Sequence, residues 1–374
     1  MRATKAIIHL DNLEHNIAQV KKLLKPETKI CLPVKADAYG HGAIQVAIAA
    51  IKAGVNVLAV ASVHEGIELR DAGIVAPILS LSLPTLSEID DILINDIHPL
   101  VMDVEFIKAL NERAGKLNTV GNVHLKIDTG MSRIGCVPSE AAELARLIAS
   151  SEHLQLCGIA THFSAADSKL DEDIAFTKRQ LRIFSDAVKN IREVGVHSGL
   201  VHAANSGAII QYPESYFDMV RPGIIVYGYP PSDDLAGALN LKPVMSLMTR
   251  VVLIKKLEAG TPVSYGCRWR ADHDTYIGTL PIGYADGLTR SLSQGLKVRI
   301  GSKFYPIVGS ICMDQCMIDL GENTTVKRWD DVEIFGASNG QKNNSADTLA
   351  KICGTIPYEV LANINKRVPR VYLP

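Results

Sequence analysis

In "ICLPVKADAYGHGA" (residues 30–43) an apolar, branched run ends at Lys35, and small residues, Tyr39, Gly40, His41 and Gly42 follow. Solvated lysines usually sit on helix faces, whereas this one closes a buried-strand pattern. A lysine desolvated at such a place loses its proton readily and becomes a nucleophile or Schiff-base former. Other apolar runs end in the same way. Lys126 and Arg133 stand in "HLKIDTGMSRIG", His162 in "GIATHFSAAD", Asn205 and Ser206 in "HAANSG", and Arg221 and Gly223 in "DMVRPGIIVYG". Any one of them alone reads as a strand cap or a partner for loop backbone. Together they point to a site. "HAANSG" and "RPGIIVYG" add a hydroxyl, backbone N–H groups and glycine at consecutive strand ends, where barrels commonly hold phosphate. A lysine, a phosphate cradle and a strand-end arginine suggest pyridoxal 5′-phosphate.

Such residues need a scaffold that brings many strand ends to one rim. The first two-thirds of the chain alternates short β-branched runs ("AIIHL", "VNVLAVAS", "PILSLS", "HPLVM") with stretches of helical period such as "EAAELARLIASSE" and "FTKRQLRIFSDAVKNIREVG". Strict alternation implies βα units and a parallel sheet. The number of units matches a (β/α)8 TIM-type barrel better than an open sheet. Nine strand candidates compete for eight places, so residues 6–10 are expected to pair with the second domain. Near residue 230, "YPPSDDLAGALNLKP" reads as a linker, and short alternating strands with glycine turns follow. The expected organisation is a barrel over 1–235 and a mostly β C-terminal domain over 236–374, closed by a short helix and a last strand.

Composition narrows the function. Across 374 residues, 39 Lys and Arg face 40 Asp and Glu, so nothing invites nucleic acid or an anionic membrane. No apolar run is long enough to span a bilayer, and "MRATKAIIHL" is too short and too charged for a signal peptide. Seven cysteines without paired spacing imply reduced thiols and a cytoplasmic location. "CMDQC" is a lone pair with no second pair at ligand spacing, so no metal is expected there.

Nine spaced motifs occur in order: "VKADAYGHG", "KIDTGMSRIG", "THFSAAD", "HAANS", "VRPGIIVYG", "VSYGCRW", "LPIGYADG", "GSICMDQ", and "YEVL" with "RVPR". On these the chain resembles the alanine racemase family along nearly its whole length. The resemblance implies interconversion of L- and D-alanine by two-base proton transfer at Cα, on an external aldimine of pyridoxal phosphate. Lys35 corresponds to the lysine that carries the cofactor and, once released, acts as one base. Tyr265 corresponds to the second base on the opposite face. An ordinary tyrosine has a pKa of about 10, so that use demands nearby groups that favour phenolate. A packed strand tyrosine explains its position equally well without the resemblance. In relatives the lysine and tyrosine come from different subunits of a head-to-tail homodimer, which makes two copies obligatory.

Arg221 corresponds to the arginine that faces the pyridine nitrogen, with His162 orienting it from behind. A buried ion pair is the competing reading for Arg221 and requires a carboxylate beside it. Asn205 falls within the cofactor-binding "HAANS" motif. Tyr39, Ser206, Gly223, Ile224 and Tyr358 correspond to phosphate contacts. Arg133 corresponds to the group that bonds the cofactor's phenolic oxygen and the substrate carboxylate, with the Met313 N–H as a second carboxylate donor. Lys126 corresponds to a lysine that many relatives carry as a carbamate, and both that form and a free amine remain open. Tyr284 and Asp314 match the entrance, where Tyr284 would help restrict the pocket to alanine-sized side chains. The product would serve wall peptidoglycan or D-alanine breakdown. A broad-specificity racemase shares every motif. A decarboxylase of related fold is disfavoured by an arginine at the ring nitrogen. A non-catalytic cofactor-binding barrel would lack the β domain.

Overall fold

The computed structural model describes residues 2–336 and 344–374. Two compact units emerge, one of Glu14–Ala38 with Ala43–Leu241, the other of Met1–Leu13, Tyr39–Gly42 and Lys242–Pro374.

The first strand of the chain, β1 (Lys5–His9), belongs to the second unit. The first unit holds eight parallel strands: β2 (Lys29–Pro33), β3 (Val57–Val60), β4 (Ile78–Ser80), β5 (Ile97–Val101), β6 (Gly121–Lys126), β7 (Leu154–Ala160), β8 (Leu200–His202) and β9 (Met219–Val220). Their order is β8-β7-β6-β5-β4-β3-β2-β9. The Asp218 N–H donates to Val201 O (3.0 Å) and the Arg221 N–H to Ala204 O (2.8 Å), which carries the ring round from β9 to β8. This is a (β/α)8 barrel. Its interior is filled by small and branched side chains from alternate positions: Cys31, Val57, Ala59, Leu79, Leu100, Ala160 and Met219. Strands buried on both faces read as continuous apolar runs, and the polar residues that interrupt them are therefore informative.

The covering helices follow from period and caps. In Asp171–Glu193, Thr177, Gln180, Phe184, Ala187, Val188 and Ile191 turn inward, and Asp171, Glu172 and Asp173 crowd the first turn, where carboxylates complement the helix dipole. In Val104–Lys116 the Asp103 carboxylate accepts the Phe106 N–H (2.8 Å) as N-cap. Among the described residues no helix is long and apolar enough to cross a membrane.

The second unit is built on a nine-stranded sheet whose later members are β10 (Met245–Arg250), β11 (Leu253–Leu257), β14 (Thr275–Leu280), β15 (Lys297–Ile300), β16 (Lys303–Val308), β17 (Cys316–Gly321), β18 (Asp331–Phe335) and β19 (Arg370–Leu373). A separate hairpin pairs β12 (Pro262–Val263) with β13 (Trp269–Arg270). Within this unit β1 pairs antiparallel with β10 and parallel with β19. Two short helices, Ala346–Cys353 and Pro357–Ala362, precede β19, where the sequence suggested one. Gly354 in the left-handed conformation stops the first, and Pro357 starts the second.

Candidate active site

The expected site residues divide between the units. Lys35, Lys126, Arg133, His162, Asn205, Ser206, Arg221, Gly223 and Ile224 belong to the barrel; Tyr39, Tyr265, Tyr284, Met313, Asp314 and Tyr358 belong to the β unit.

Lys35 follows β2, and the chain after it turns left-handed. Ala36, Asp37, Ala38 and Tyr39 have φ between +52° and +54°. For residues with a Cβ this conformation costs about 1–2 kcal/mol each, so neighbouring bonds must hold it. The Ala38 N–H donates to Val34 O (2.8 Å), the Ala43 N–H to Asp37 Oδ1 (2.8 Å), and the Ala36 N–H to Glu65 Oε1 (2.7 Å). Glu65 also receives the Ala61 (2.7 Å) and Ser62 (3.2 Å) N–H groups through Oε2, as the third residue of the capping box that starts Val63–Asp71. One carboxylate thus ties the lysine turn to the neighbouring strand end. Burial, then the charge of Arg133, lowers the Lys35 pKa, with Glu65 opposing.

Arg221 is 5% exposed and has no carboxylate partner among the described residues. Its Nη1 donates to His202 Nδ1 (2.6 Å) and His202 O (3.0 Å); its Nη2 donates to Thr161 O (2.7 Å), Ala203 O (3.0 Å) and His162 Nδ1 (3.1 Å). The buried-ion-pair reading of Arg221 therefore fails. An arginine has five N–H donors; the four on Nη1 and Nη2 serve these five acceptors, one hydrogen being shared, and the fifth, on Nε, meets no acceptor among the described residues. Arginine only donates, so His162 and His202 each present an Nδ1 lone pair to it and carry their proton on Nε2. Burial, with the Arg221 charge next, holds both imidazoles well below the usual histidine range. They are neutral at pH 7.

Lys126 is buried, 5% exposed, and its amine has no hydrogen-bond or ion-pair partner among the described residues. Burial, then Arg221 and Arg133, pushes its pKa far down, with Asp128 opposing weakly. Arg133 itself is exposed.

Asn205 caps Ser206–Gln211, accepting the Ala208 N–H (3.0 Å) and donating to Phe163 O (3.3 Å), so its side chain serves the backbone. Ser206 Oγ accepts the Gly223 N–H (2.9 Å), which leaves the hydroxyl proton to donate onward. Ile224 is fully buried beside it.

In the β unit, Tyr39 and Tyr358 stack at 5.8 Å between centroids, and burial raises the Tyr39 pKa. Tyr284 opens a 3₁₀ turn strapped to the Cys312–Met313 backbone: the Tyr284 N–H donates to Cys312 O (3.1 Å) and the Ala285 N–H to Met313 O (3.0 Å). Position 283 is glycine because a Cβ there would overlap both carbonyl oxygens. Asp314 accepts from Arg367 Nη2 (2.6 Å), and Arg367 Nε also pairs with the buried Asp286 (2.8 Å).

Tyr265 is 71% exposed, on a short turn between β12 and β13 with Ser264 (φ +66°) and Cys267 (φ +47°) left-handed. Ser264 Oγ donates to Ser310 O (2.7 Å) and Ser310 Oγ to Tyr265 O (3.2 Å), which fixes the turn from below. The tyrosine hydroxyl meets no partner among the described residues. All seven cysteines are free thiols, and no metal-ligating cluster is found among the described residues.

The barrel half suits pyridoxal phosphate. A donor is left over on a buried arginine whose other bonds all go to neutral acceptors, and a lysine of lowered pKa stands in the same unit. A pyridine nitrogen accepts such a donor. Glu65, His124 and His202 were not among the residues singled out from sequence. "SVHE" is a capping-box pattern that could have marked Glu65; the two histidines look like ordinary core positions.

Comparison with known proteins gives one answer. The family profile for the alanine racemase N-terminal domain matches residues 8–231, and that for the C-terminal domain matches residues 244–372. The alanine racemase of Treponema denticola is 62% identical over 375 residues, covering 100% of this chain and 99% of that protein. The solved alanine racemase of Clostridium difficile 630 superposes with a TM-score of 0.94 at 40% identity, over 100% of this chain and 96% of that one. A complex of the same enzyme with cycloserine gives 0.93 at 39%, again over 100% and 96%.

Proposed function

The chain belongs to the alanine racemase family and is an isomerase, and on that premise we propose that it interconverts L- and D-alanine with pyridoxal 5′-phosphate, using Lys35 and Tyr265 as opposed bases. The observation that carries this reading is the unused Nε–H of the buried Arg221.

Lys35 would hold the cofactor through Nζ. Ser206, Ile224, Tyr39 and Tyr358 would bind its phosphate, with Gly223 letting the backbone approach and Asn205 fixing the helix that carries Ser206. When bound, the cofactor supplies an electron sink that acidifies the Cα–H of an amino acid joined to it. Lys35, its pKa lowered by burial and Arg133, is readily a neutral amine and takes or returns the Cα proton from one face. Tyr265 Oη serves the other face. Arg221 donates its Nε–H and keeps its proton, so it leaves the ring nitrogen uncharged and favours proton return at Cα over loss to other positions. His162 steadies Arg221 from the Nη2 side. Arg133 and the Met313 N–H would bind the alanine carboxylate. Tyr284 and Asp314 would line the entrance.

Lys126, a buried amine whose pKa burial and two guanidinium groups push far down, suits addition to CO2, giving a carbamate and releasing one proton. The anion would balance Arg221 and Arg133 and hold the latter. Tyr265 lies largely exposed on its own chain, which supports its presentation to a second copy in a homodimer. The division of labour is a cofactor barrel, residues 1–235, and a domain of residues 236–374 that supplies the second base. The proposed role is D-alanine supply for peptidoglycan in the cytoplasm; a deletion strain that grows without added D-alanine would assign it to D-alanine breakdown instead.

Borohydride reduction followed by peptide mapping tests the site, and loss of optical rotation from pure L-alanine tests the reaction. A label on Lys35 and a racemic product are expected. A label elsewhere, or L-alanine left unchanged by coloured enzyme, overturns the proposal.

A further inference from the structure

Behind Arg221 and His202 lies a second buried histidine. His124, on β6, is 3% exposed, and its Nδ1 stands 2.9 Å from Nε2 of the fully buried His202 at the end of β8. The two strands are not neighbours; β7 runs between them. The residue opposite His124 on β7 is Gly158, reached after a register shift between Val123 and His124. A Cβ at position 158 would overlap His124 Nδ1 and Leu200 O. Glycine therefore leaves the space over which the ring of His124 reaches the ring of His202.

The direction of this chain is fixed by chemistry. Arg221 only donates, so His202 Nδ1 accepts. His202 must then carry its single proton on Nε2 and donate it to His124 Nδ1, which puts the proton of His124 on Nε2. Protonating either ring a second time breaks a bond at one end of the chain. Burial, then the charges of His98 and Arg221, pushes His124 down to about 3, in keeping with a neutral ring. Beyond His124 the contact loosens: the His98 ring lies 6.0 Å away, and His98 turns its Nε2 toward Asp96 Oδ1 (3.4 Å).

We propose that His124 is a positioning residue for racemisation, accepting the Nε2–H of His202 and so fixing that ring with its Nδ1 lone pair on Arg221, and that Gly158 is glycine to admit this chain. A carboxylate would hold the arginine more strongly but would damp the charge behind its free donor. A neutral acceptor of fixed orientation holds the guanidinium and leaves that charge intact. The inference deepens the function proposed above and rests on Arg221 as the group facing the ring nitrogen.

Three variants of the holoenzyme test it: His124→Leu, which removes the acceptor; His124→Asn, whose side-chain oxygen can replace Nδ1; and Gly158→Ala, which pushes the rings apart. Losing one buried acceptor is expected to lower kcat about tenfold in His124→Leu and Gly158→Ala, with the alanine KM changed less than about twofold, while His124→Asn keeps roughly half the activity. Nitrogen-15 spectra of histidine-labelled wild-type protein supply the readout that does not depend on turnover. His202 should show a pyridine-like Nδ1 and a pyrrole-like Nε2, and in His124→Leu the Nε2 signal should move upfield as its N–H loses its acceptor. A proton on Nδ1 of wild-type His202, equal kinetics for His124→Leu and His124→Asn, or full activity in His124→Leu would each overturn the proposal. A coloured, racemising wild type giving any of these results leaves the function standing and removes only the role of His124.

Discussion

The lysine turn of the barrel and the tyrosine turn of the β unit use the same unusual backbone to opposite ends. Both place residues other than glycine in the left-handed region: Ala36–Tyr39 after Lys35, Ser264 and Cys267 around Tyr265. The lysine turn is held by Val34 O and by the Asp37 and Glu65 carboxylates, and burial with the charge of Arg133 depresses its amine. The tyrosine turn is fixed only at its base, through Ser264 and Ser310, and its side chain is 71% exposed. One half-site is electrostatically prepared within its own unit. The other is mechanically prepared and chemically bare. A tyrosine that must act as a base needs positive charge or donors near its oxygen, and under the proposed function a second copy's barrel rim would supply them.

The largest effect is expected at the barrel's buried charge. Replacing Arg221 with Gln should remove the free donor and unsettle His202, lowering kcat by about 10²–10³ and shifting the thermal midpoint down; a loss under fivefold would show that the barrel half is not organised around this cation. Lys126 offers the next cut. With ¹³C-labelled CO2 a carbamate carbon signal should appear in wild type and be absent from Lys126→Ala, whose KM for alanine should rise several-fold as Arg133 loosens. If wild type gives no signal, the neutral-amine form holds.

Acid stability sharpens the contrast between a buried neutral interior and an exposed turn. His124 in the folded chain titrates at about 3, against about 6.5 unfolded. Between those values the unfolded chain binds the extra proton, so stability falls as pH drops below about 6.5, by up to about 1.4 kcal/mol per unit. Urea unfolding should show a shallower acid loss for His124→Asn than for wild type between pH 6.5 and 5. Parallel curves would mean that His124 is not held neutral. The smallest effect is expected at the entrance. Tyr284→Ala should leave alanine turnover within about threefold while admitting L-serine or larger substrates; an unchanged substrate range would remove Tyr284 from specificity.

Much of the architecture was readable before folding. The alternation of β-branched runs with "EAAELARLIASSE" and its kin identified parallel βα units, and nine strand candidates for eight places left one to pair elsewhere, as Lys5–His9 does with Met245–Arg250. Polar residues that end apolar runs stand out because barrel strands are otherwise apolar. The left-handed turn was not legible, because Ala, Asp, Ala and Tyr give no sign of positive φ and its cause is the set of bonds to Glu65, Val34 and Ala43. Nor was the histidine chain. His124 and His202 lie 78 positions apart on non-adjacent strands, and only the closed ring with glycine between them makes them neighbours. The sequence could offer a carboxylate partner for Arg221 as an alternative; only the packed barrel excludes it.

In the proposed mechanism each working site takes its lysine from one copy and its tyrosine from another. Lys35→Ala and Tyr265→Ala enzymes, each inactive alone, should regain activity when denatured together and refolded. In the mixed dimer one site carries both lesions and the other carries neither, so random pairing should restore about a quarter of wild-type activity. Sites built within a single chain would give no recovery at any mixing ratio, and that result would rule out a site shared between copies.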